Sequence, residues 1–123
     1  MATFMVLVDG EASGWGADRD ALTAVIRDGW AGVETDSTPR SEARSFCWSF
    51  ESEDGPGEAY LHEDGTCLYL DSSQSDAVRL AVVFRRLVPA ALDVVFCDEG
   101  YNFDVQLRSD VTDAELIELM TAD

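Results

Sequence analysis

Two short alternating segments joined by Asp64-Gly65 constrain the fold of this chain more than any other part of its sequence. Residues 58–63 and 66–71 alternate in side-chain character, as strands do when their two faces meet different surroundings. Asp-Gly between two such segments is typical of a two-residue type I′ turn, which fixes the register of a hairpin. The predicted cross-strand pairs are Leu61 with Leu68, Ala59 with Leu70, Tyr60 with Tyr69, and His62 with Cys67. This register places the leucines and the alanine on one face, and the tyrosines and the histidine on the other.

The other elements follow from short apolar patterns and capping residues. Strands are also predicted at 4–8, near Val33, and at 46–51, 93–97 and 103–107. Loops are predicted at 35–44 and 53–57. Helices are predicted at 19–30 after the cap Asp18, at 74–88 after the cap Ser73, and near the C-terminus after a capping box of Thr112 and Glu115. On the middle helix, Arg79, Arg85 and Arg86 are expected at the edges of the buried stripe, with their charges in water.

This order of elements predicts an α+β fold. The expected architecture is a two-layer sandwich, a mostly antiparallel sheet with helices packed on one face. The alternative is a more open arrangement in which the C-terminal helix covers an edge of the sheet. The 123 residues contain no linker, repeat or low-complexity stretch. We therefore expect a single globular domain over residues 1–123.

Acidic residues far outnumber basic ones. Twenty-five Asp and Glu stand against eight basic residues, all of them arginine, and the formal net charge is −17. Nucleic acids and anionic lipids are bound through Lys and Arg, so neither a nucleic acid nor a membrane is an expected partner. A basic protein surface is attracted instead. The alternative is that the acidity reflects only lineage or solubility, such as the acid excess of halophilic proteins.

The sequence predicts a soluble, cytoplasmic protein without catalytic activity, cofactor or metal. Its first residues lack a basic region, and no apolar run is long enough to span a bilayer. Cys47, Cys67 and Cys97 lack the spacing of a zinc site and are expected to be buried, reduced thiols, with one disulfide as the alternative. The single histidine, His62, faces Cys67 in the predicted hairpin, but this pair lacks the third orienting group that nucleophilic catalysis needs.

One arrangement of carboxylates has the character of a metal site. If the strands at 4–8 and 93–97 were parallel neighbours, acids at their ends would meet at one sheet edge and bind Mg²⁺ or Ca²⁺. These acids are Asp9, Glu11, Asp98, Glu99 and Asp104. In a chain with 25 acidic residues such clustering arises by coincidence, so it does not predict metal binding.

In its small size, strong acidity and α+β order of elements, the chain resembles immunity proteins of bacterial toxin–antitoxin and polymorphic-toxin systems. The resemblance is one of general type, without a matched motif, and assigns no role to any residue. It implies a stoichiometric inhibitor that covers a basic surface of a partner protein, such as a toxin. The alternative is a small acidic domain with a regulatory or structural role. The oligomeric state stays open.

Acids at the hairpin ends, together with two tyrosines, are the predicted contact surface for a basic partner. These residues are Glu51, Glu53, Asp54, Tyr60, Glu63, Asp64 and Tyr69. The two tyrosines either belong to a second half-core or form an exposed aromatic pair rimmed by acids. The exposed pair would be an arrangement typical of protein interfaces.

Overall fold

The computed structural model describes residues 2–8, 15–38, 45–63, 65–100 and 103–121, which form strands and helices in the predicted order. The strands are β1 (Ala2–Val8), β2 (Ala31–Asp36), β3 (Phe46–Ser52), β4 (Gly55–Leu61), β5 (Cys67–Ser72), β6 (Val94–Asp98) and β7 (Asp104–Gln106). The helices are α1 (Arg19–Gly29), α2 (Gln74–Leu87) and α3 (Asp113–Thr121). Asp18 and Ser73 cap α1 and α2 as predicted. The α+β class is therefore confirmed.

The strands form one seven-stranded sheet in the order β2-β3-β4-β5-β1-β6-β7. Every neighbouring pair is antiparallel. The first strand of the chain thus lies between β5 and β6, which belong to the second half of the sequence. The antiparallel sheet is confirmed, and the placement of the helices on one face stays a prediction.

The β4–β5 hairpin has the predicted register but a different turn. Every predicted cross-strand pair occurs. The N–H of Gly65 donates to the carbonyl of His62 at 2.9 Å, so Gly65 is the last residue of a turn that begins at His62 and is not one of its two central residues. Asp64 itself lies outside the described residues. The register is retained because the apolar face of each strand must still meet the core.

The buried core lies on one face of the sheet. Its members in the strands are Phe4, Val6, Val8, Trp48, Phe50, Ala59, Leu61, Leu68, Leu70, Val94, Phe96 and Val105, and Leu107, directly after β7, also belongs to it. Within each strand these residues occupy alternate positions, which place side chains on the same face of the sheet. They also lie opposite one another on neighbouring strands, as Val6 lies opposite Leu68 in β5 and Phe96 in β6. Apolar residues of all three helices, including Leu22, Ile26 and Leu116, belong to the same cluster.

Two polar contacts attach the helices to β3. The indole N–H of Trp48 donates to the hydroxyl of Thr23 in α1 at 2.8 Å. The buried carboxylate of Asp76, in the first turn of α2, accepts hydrogen bonds from the Trp30 indole at 3.1 Å and from the Ser52 hydroxyl at 2.5 Å. Because these partners replace water, the carboxylate can be buried without a large desolvation penalty.

Arg85 is buried, contrary to the expectation that its charge lies in water. Its guanidinium donates to the carbonyl of Leu107 at 2.9 Å and to four carbonyls at positions 88, 89, 90 and 92, at 3.2–3.4 Å. Burial lowers the pKa of Arg85 from its ordinary value. Arg79 and Arg86 are exposed, as expected. Arg85 therefore joins the C-terminal end of α2 to the backbone of Leu107, directly after β7.

Candidate functional site

The face of the sheet opposite the core, here called the outer face, carries a continuous row of polar side chains. Glu34 lies opposite Ser49, Ser49 opposite Glu58, Glu58 opposite Asp71, and Asp71 opposite Thr3. These five residues, the acidic row, cross five adjacent strands from β2 to β1. Because neighbouring strands lie about 4.8 Å apart, the row places three carboxylates within a span of about 15 Å.

Hydrogen bonds orient two of these three carboxylates. Glu58 Oε2 accepts from the hydroxyl of Tyr60, and the Cys47 thiol donates to the same oxygen with 3.6 Å between sulfur and oxygen. Asp71 accepts from the hydroxyl of Thr3 at 2.6 Å. A carboxylate that is already held in one orientation loses less conformational freedom when it binds a cation.

Two shallow hollows flank Glu58. The first encloses about 490 Å³ and has the carboxylates of Glu34, Glu51 and Glu58 in its lining. The second encloses about 370 Å³ and is lined by Asp71, Thr3, Pro56, Gly57 and Glu58. The remaining lining of the first hollow is mostly small: Gly32, Ser49, Pro56 and Gly57. The surface is concave here because these small residues lie between the longer glutamate side chains.

Charge is distributed unequally between the strands and the rest of the fold. The seven described strands contain no basic residue. Their acidic residues are Glu34, Asp36, Glu51, Glu58, Asp71, Asp98 and Asp104. All except Asp98 lie on the outer face by register, since Asp98 lies opposite the core residue Phe4. The arginines of the described residues are Arg19 and Arg27 in α1, Arg79, Arg85 and Arg86 in α2, and Arg108 after β7.

The predicted contact residues do not form one surface. Glu51 lines the first hollow and, together with Glu53 and Asp54, a third hollow of about 340 Å³ at the β3–β4 turn. Glu63 follows the opposite end of β4. Since a seven-residue strand spans roughly 20 Å, the two acidic groups lie far apart. Asp64 lies outside the described residues.

Two arrangements were expected for the tyrosines, and the structure does not have the exposed pair. Tyr60 and Tyr69 lie opposite each other on the outer face, but Tyr60 is only 5% exposed and Tyr69 is half-buried. Tyr60 uses its hydroxyl to orient Glu58. Tyr60 therefore holds part of the acidic row in place, and Tyr69 is the more exposed of the two tyrosines.

The acidic row was missed because its members are distant in sequence. The predicted hairpin register already implied that Glu58 lies opposite Asp71, which the structure confirms. No sequence signal placed Glu34 or Thr3 beside them, because β2 and β1 are each brought to this face by the order of the strands.

The carboxylate cluster considered at the strand ends required the strands at 4–8 and 93–97 to be parallel neighbours. They are neighbours, but the assumption that they are parallel is wrong. β1 and β6 are antiparallel, so Asp98 lies opposite Phe4 at the start of β1 while Val94 lies opposite Val8 at its end. Asp9 and Glu11 follow Val8 and lie outside the described residues. Among the described residues, no group of three or more Asp, Glu, His or Cys is arranged to hold a metal ion.

No disulfide joins the cysteines of the described residues, and the thiols of Cys47 and Cys97 are poorly suited to nucleophilic chemistry. Cys47 is half-buried, and Cys67 and Cys97 are buried. Burial raises the pKa of the Cys47 thiol, and the charge of Glu58 raises it further. Burial also raises the pKa of the Cys97 thiol, with a smaller effect of Asp104 and Asp98. The thiolate, which is the reactive form, is therefore disfavoured at both positions.

Comparisons with known proteins do not assign a function, so the proposal below is based on the geometry of the acidic row and its hollows. No protein-family model, curated protein or solved structure matches the chain. Among the helices as described, none has the length and apolar character needed to cross a membrane. The site with the most distinctive chemistry in the described residues is the acidic row with its two flanking hollows.

Proposed function

We propose that the protein is a non-catalytic, acidic binding protein of the immunity type, which covers a basic surface of a partner protein with its outer face. The observation that carries this proposal is the acidic row on strands that contain no basic residue. A net charge of −17 adds long-range attraction for a cationic partner. Cysteines that form no disulfide suit a reducing compartment such as the bacterial cytoplasm.

The hollows support the proposal because they match the chemistry of basic side chains. An arginine or lysine side chain that enters the first hollow meets Glu34, Glu51 and Glu58, and one that enters the second meets Glu58 and Asp71. Arginine offers a planar set of donors that can bind a carboxylate through two hydrogen bonds. Single exposed ion pairs contribute little, so affinity requires several such contacts at once.

The distribution of charge favours this function over acidity that serves only solubility. Acidity for solubility requires no particular location. Here Glu58 and Asp71 lie directly opposite each other on neighbouring strands, an arrangement of like charges that destabilises a sheet. Retaining such a pair beside Glu34 at a concave surface is more consistent with binding a cation from outside.

The experiment that tests this function compares two variants with the same net charge. The first neutralises the acidic row (Glu34→Gln, Glu58→Gln, Asp71→Asn), and the second neutralises three helical acids (Asp28→Asn, Asp113→Asn, Glu118→Gln). Each protein is used at low salt to capture partners from host extract, and association and dissociation rates are measured for each basic protein recovered. We expect the row variant to associate about tenfold more slowly and the helical variant to associate within about twofold of the parent.

Two results would contradict the proposal. Equal losses in the two variants would mean that net charge alone attracts cationic proteins. Repeated capture of no basic protein at low salt would mean that the chain has no such partner, which is the outcome expected if the acidity serves only solubility.

A further inference from the structure

We infer that the basic partner docks by adding an extended strand to the outer edge of β2, an inference that rests on the proposed function and specifies how the partner binds. β2 is the outermost strand at one end of the described sheet. The strand at the other end, β7, has only three residues. β2 has six residues, most of them exposed. Edge strands carry unpaired backbone groups that can accept a further strand.

The backbone groups available at this edge follow from the hydrogen-bond alternation across the sheet. The N–H of His62 donates to the carbonyl of Cys67, so even-numbered residues of β4 face β5 and odd-numbered residues face β3. The registers of β4 with β3 and of β3 with β2 extend this alternation to β2. The N–H and carbonyl groups of Glu34 and Asp36 therefore point toward β3. The N–H and carbonyl of Thr35 then point away from the sheet, toward an added strand.

The side chains of β2 specify what the added strand must carry. An antiparallel strand that bonds to Thr35 places its next residues opposite Glu34 and Asp36 in the closer, non-hydrogen-bonded type of pair. These partner residues share the outer face with the two carboxylates, and the first hollow begins directly beside Glu34. Basic residues at alternate positions fit this arrangement, with β-branched residues between them.

A second copy of this chain is a poor occupant of the same edge. Pairing β2 with β2 would bring Glu34 and Asp36 of one copy next to the same carboxylates of the other, between molecules that each carry a net charge of −17. The bulge beside Gly32, which has φ +63°, limits the regular part of the edge to the residues that follow it. The expected contact is therefore a short basic segment of about four residues.

Three labelled peptides of eight residues test the inference, each alternating arginine and valine. The first is unmodified, the second is N-methylated at the valines, whose N–H groups would face Thr35, and the third is N-methylated at the arginines, whose N–H groups would point away. Fluorescence anisotropy at low salt gives their affinities. We expect the valine-methylated peptide to bind roughly tenfold more weakly and the arginine-methylated peptide to bind within about threefold of the unmodified one.

Two protein variants provide an independent measurement. Thr35→Pro removes the edge N–H without removing a ladder hydrogen bond, and should weaken binding of the unmodified peptide about tenfold. Thr35→Ser keeps the backbone and should bind as the parent does. If Thr35→Pro does not fold, the peptides alone decide the question.

The alternative outcomes separate the two proposals. Equal binding of all three peptides, weakened equally by neutralisation of the acidic row, would overturn strand addition and leave recognition of basic partners intact. Absence of binding by every peptide would also overturn strand addition, whereas the proposed function is decided by the partner capture with the row variant. A parent protein that sediments as a dimer and becomes monomeric in Thr35→Pro would show that a second copy occupies the edge, which also overturns the inference.

Discussion

At the residue scale, a few polar groups and glycines fix local geometry that apolar burial alone leaves open. Asp76 and Arg85 are both buried and ionisable, yet each has hydrogen-bond partners for its polar atoms. Among the described residues, no buried side-chain nitrogen or oxygen lacks a partner. Substitutions at such positions leave the partner groups unsatisfied, so their effects on stability exceed those of the lost contacts.

Replacement of Arg85 tests this expectation. Arg85→Met leaves five carbonyls without their shared donor and should lower the free energy of unfolding by about 3 kcal/mol or more. Arg85→Lys should be nearly as unstable, because an ammonium group has three donors in a compact arrangement instead of a planar fork. Urea denaturation measures both, and the exposed neighbour Arg86→Met should change stability by less than about 0.5 kcal/mol. A stable Arg85→Met protein would contradict this role.

Gly65 gives a second prediction at this scale. It has φ +75°, and a Cβ at this position would lie 2.7 Å from the nitrogen of Ala17 and 3.0 Å from Gly16 Cα. The Ala17 N–H donates to the Gly65 carbonyl at 2.9 Å, so the two segments cannot separate without breaking this bond. Gly65→Ala should therefore destabilise by more than Gly32→Ala, where φ is +63° but nothing lies within 4 Å. The left-handed conformation alone costs about 1–2 kcal/mol, and equal losses in urea denaturation would rule out crowding at Gly65.

At the scale of elements, the alternation of strands separates a buried face from a solvent-facing one. Leu68 in β5 is fully buried, whereas Leu7 in the adjacent strand β1 lies on the outer face and is 36% exposed. Leu68→Ala should lower the free energy of unfolding by about 2–5 kcal/mol because it leaves a cavity in the core. Leu7→Ala should lower it by about 1 kcal/mol. Similar losses in the two variants, measured in urea, would show that the faces are assigned incorrectly.

The elements were largely predictable because their signals are local. Caps at Asp18 and Ser73 and the alternation through 58–71 lie within a few residues of the structures that they specify. The start of β4 was not predictable in this way. Gly55 and Pro56 suggested a turn, yet they pair with Ser52 and Glu51 in the sheet, since a proline is tolerated in a strand where its nitrogen makes no ladder bond.

The candidate site was less predictable than the fold because strand order decides it. Sequence reasoning selected Glu53, Asp54 and Glu63 for their position at hairpin ends, although a strand separates the ends of β4. The acidic row instead joins residues such as Thr3 and Asp71 that are 68 positions apart. Their proximity follows from the insertion of β1 between β5 and β6, for which the sequence contains no local signal.

At the scale of the whole molecule, the fold separates a core-facing layer from an acidic outer face. The arginines of the described residues lie outside the strands, while the strands retain carboxylates that lie side by side. A protein selected only for stability would mix the two signs of charge across such a sheet. The outer face is therefore expected to reduce the stability of the isolated chain in return for the ability to bind a cationic surface.

This expectation predicts that removing the acidic row stabilises the protein. Glu58 and Asp71 are directly opposed like charges, and Glu58→Gln with Asp71→Asn keeps an acceptor for the Tyr60 and Thr3 hydroxyls. The free energy of unfolding should rise by about 0.5–1 kcal/mol at low salt. The gain should disappear near 1 M NaCl, where the screening length falls to about 3 Å.

The helical control Asp28→Asn with Glu118→Gln should show a smaller gain, because these two carboxylates do not form a directly opposed cross-strand pair. Urea denaturation at both salt concentrations measures these differences. A loss of stability in the Glu58 and Asp71 variant at low salt would mean that the two carboxylates support the fold, and the argument that the sheet tolerates them for binding would then fail.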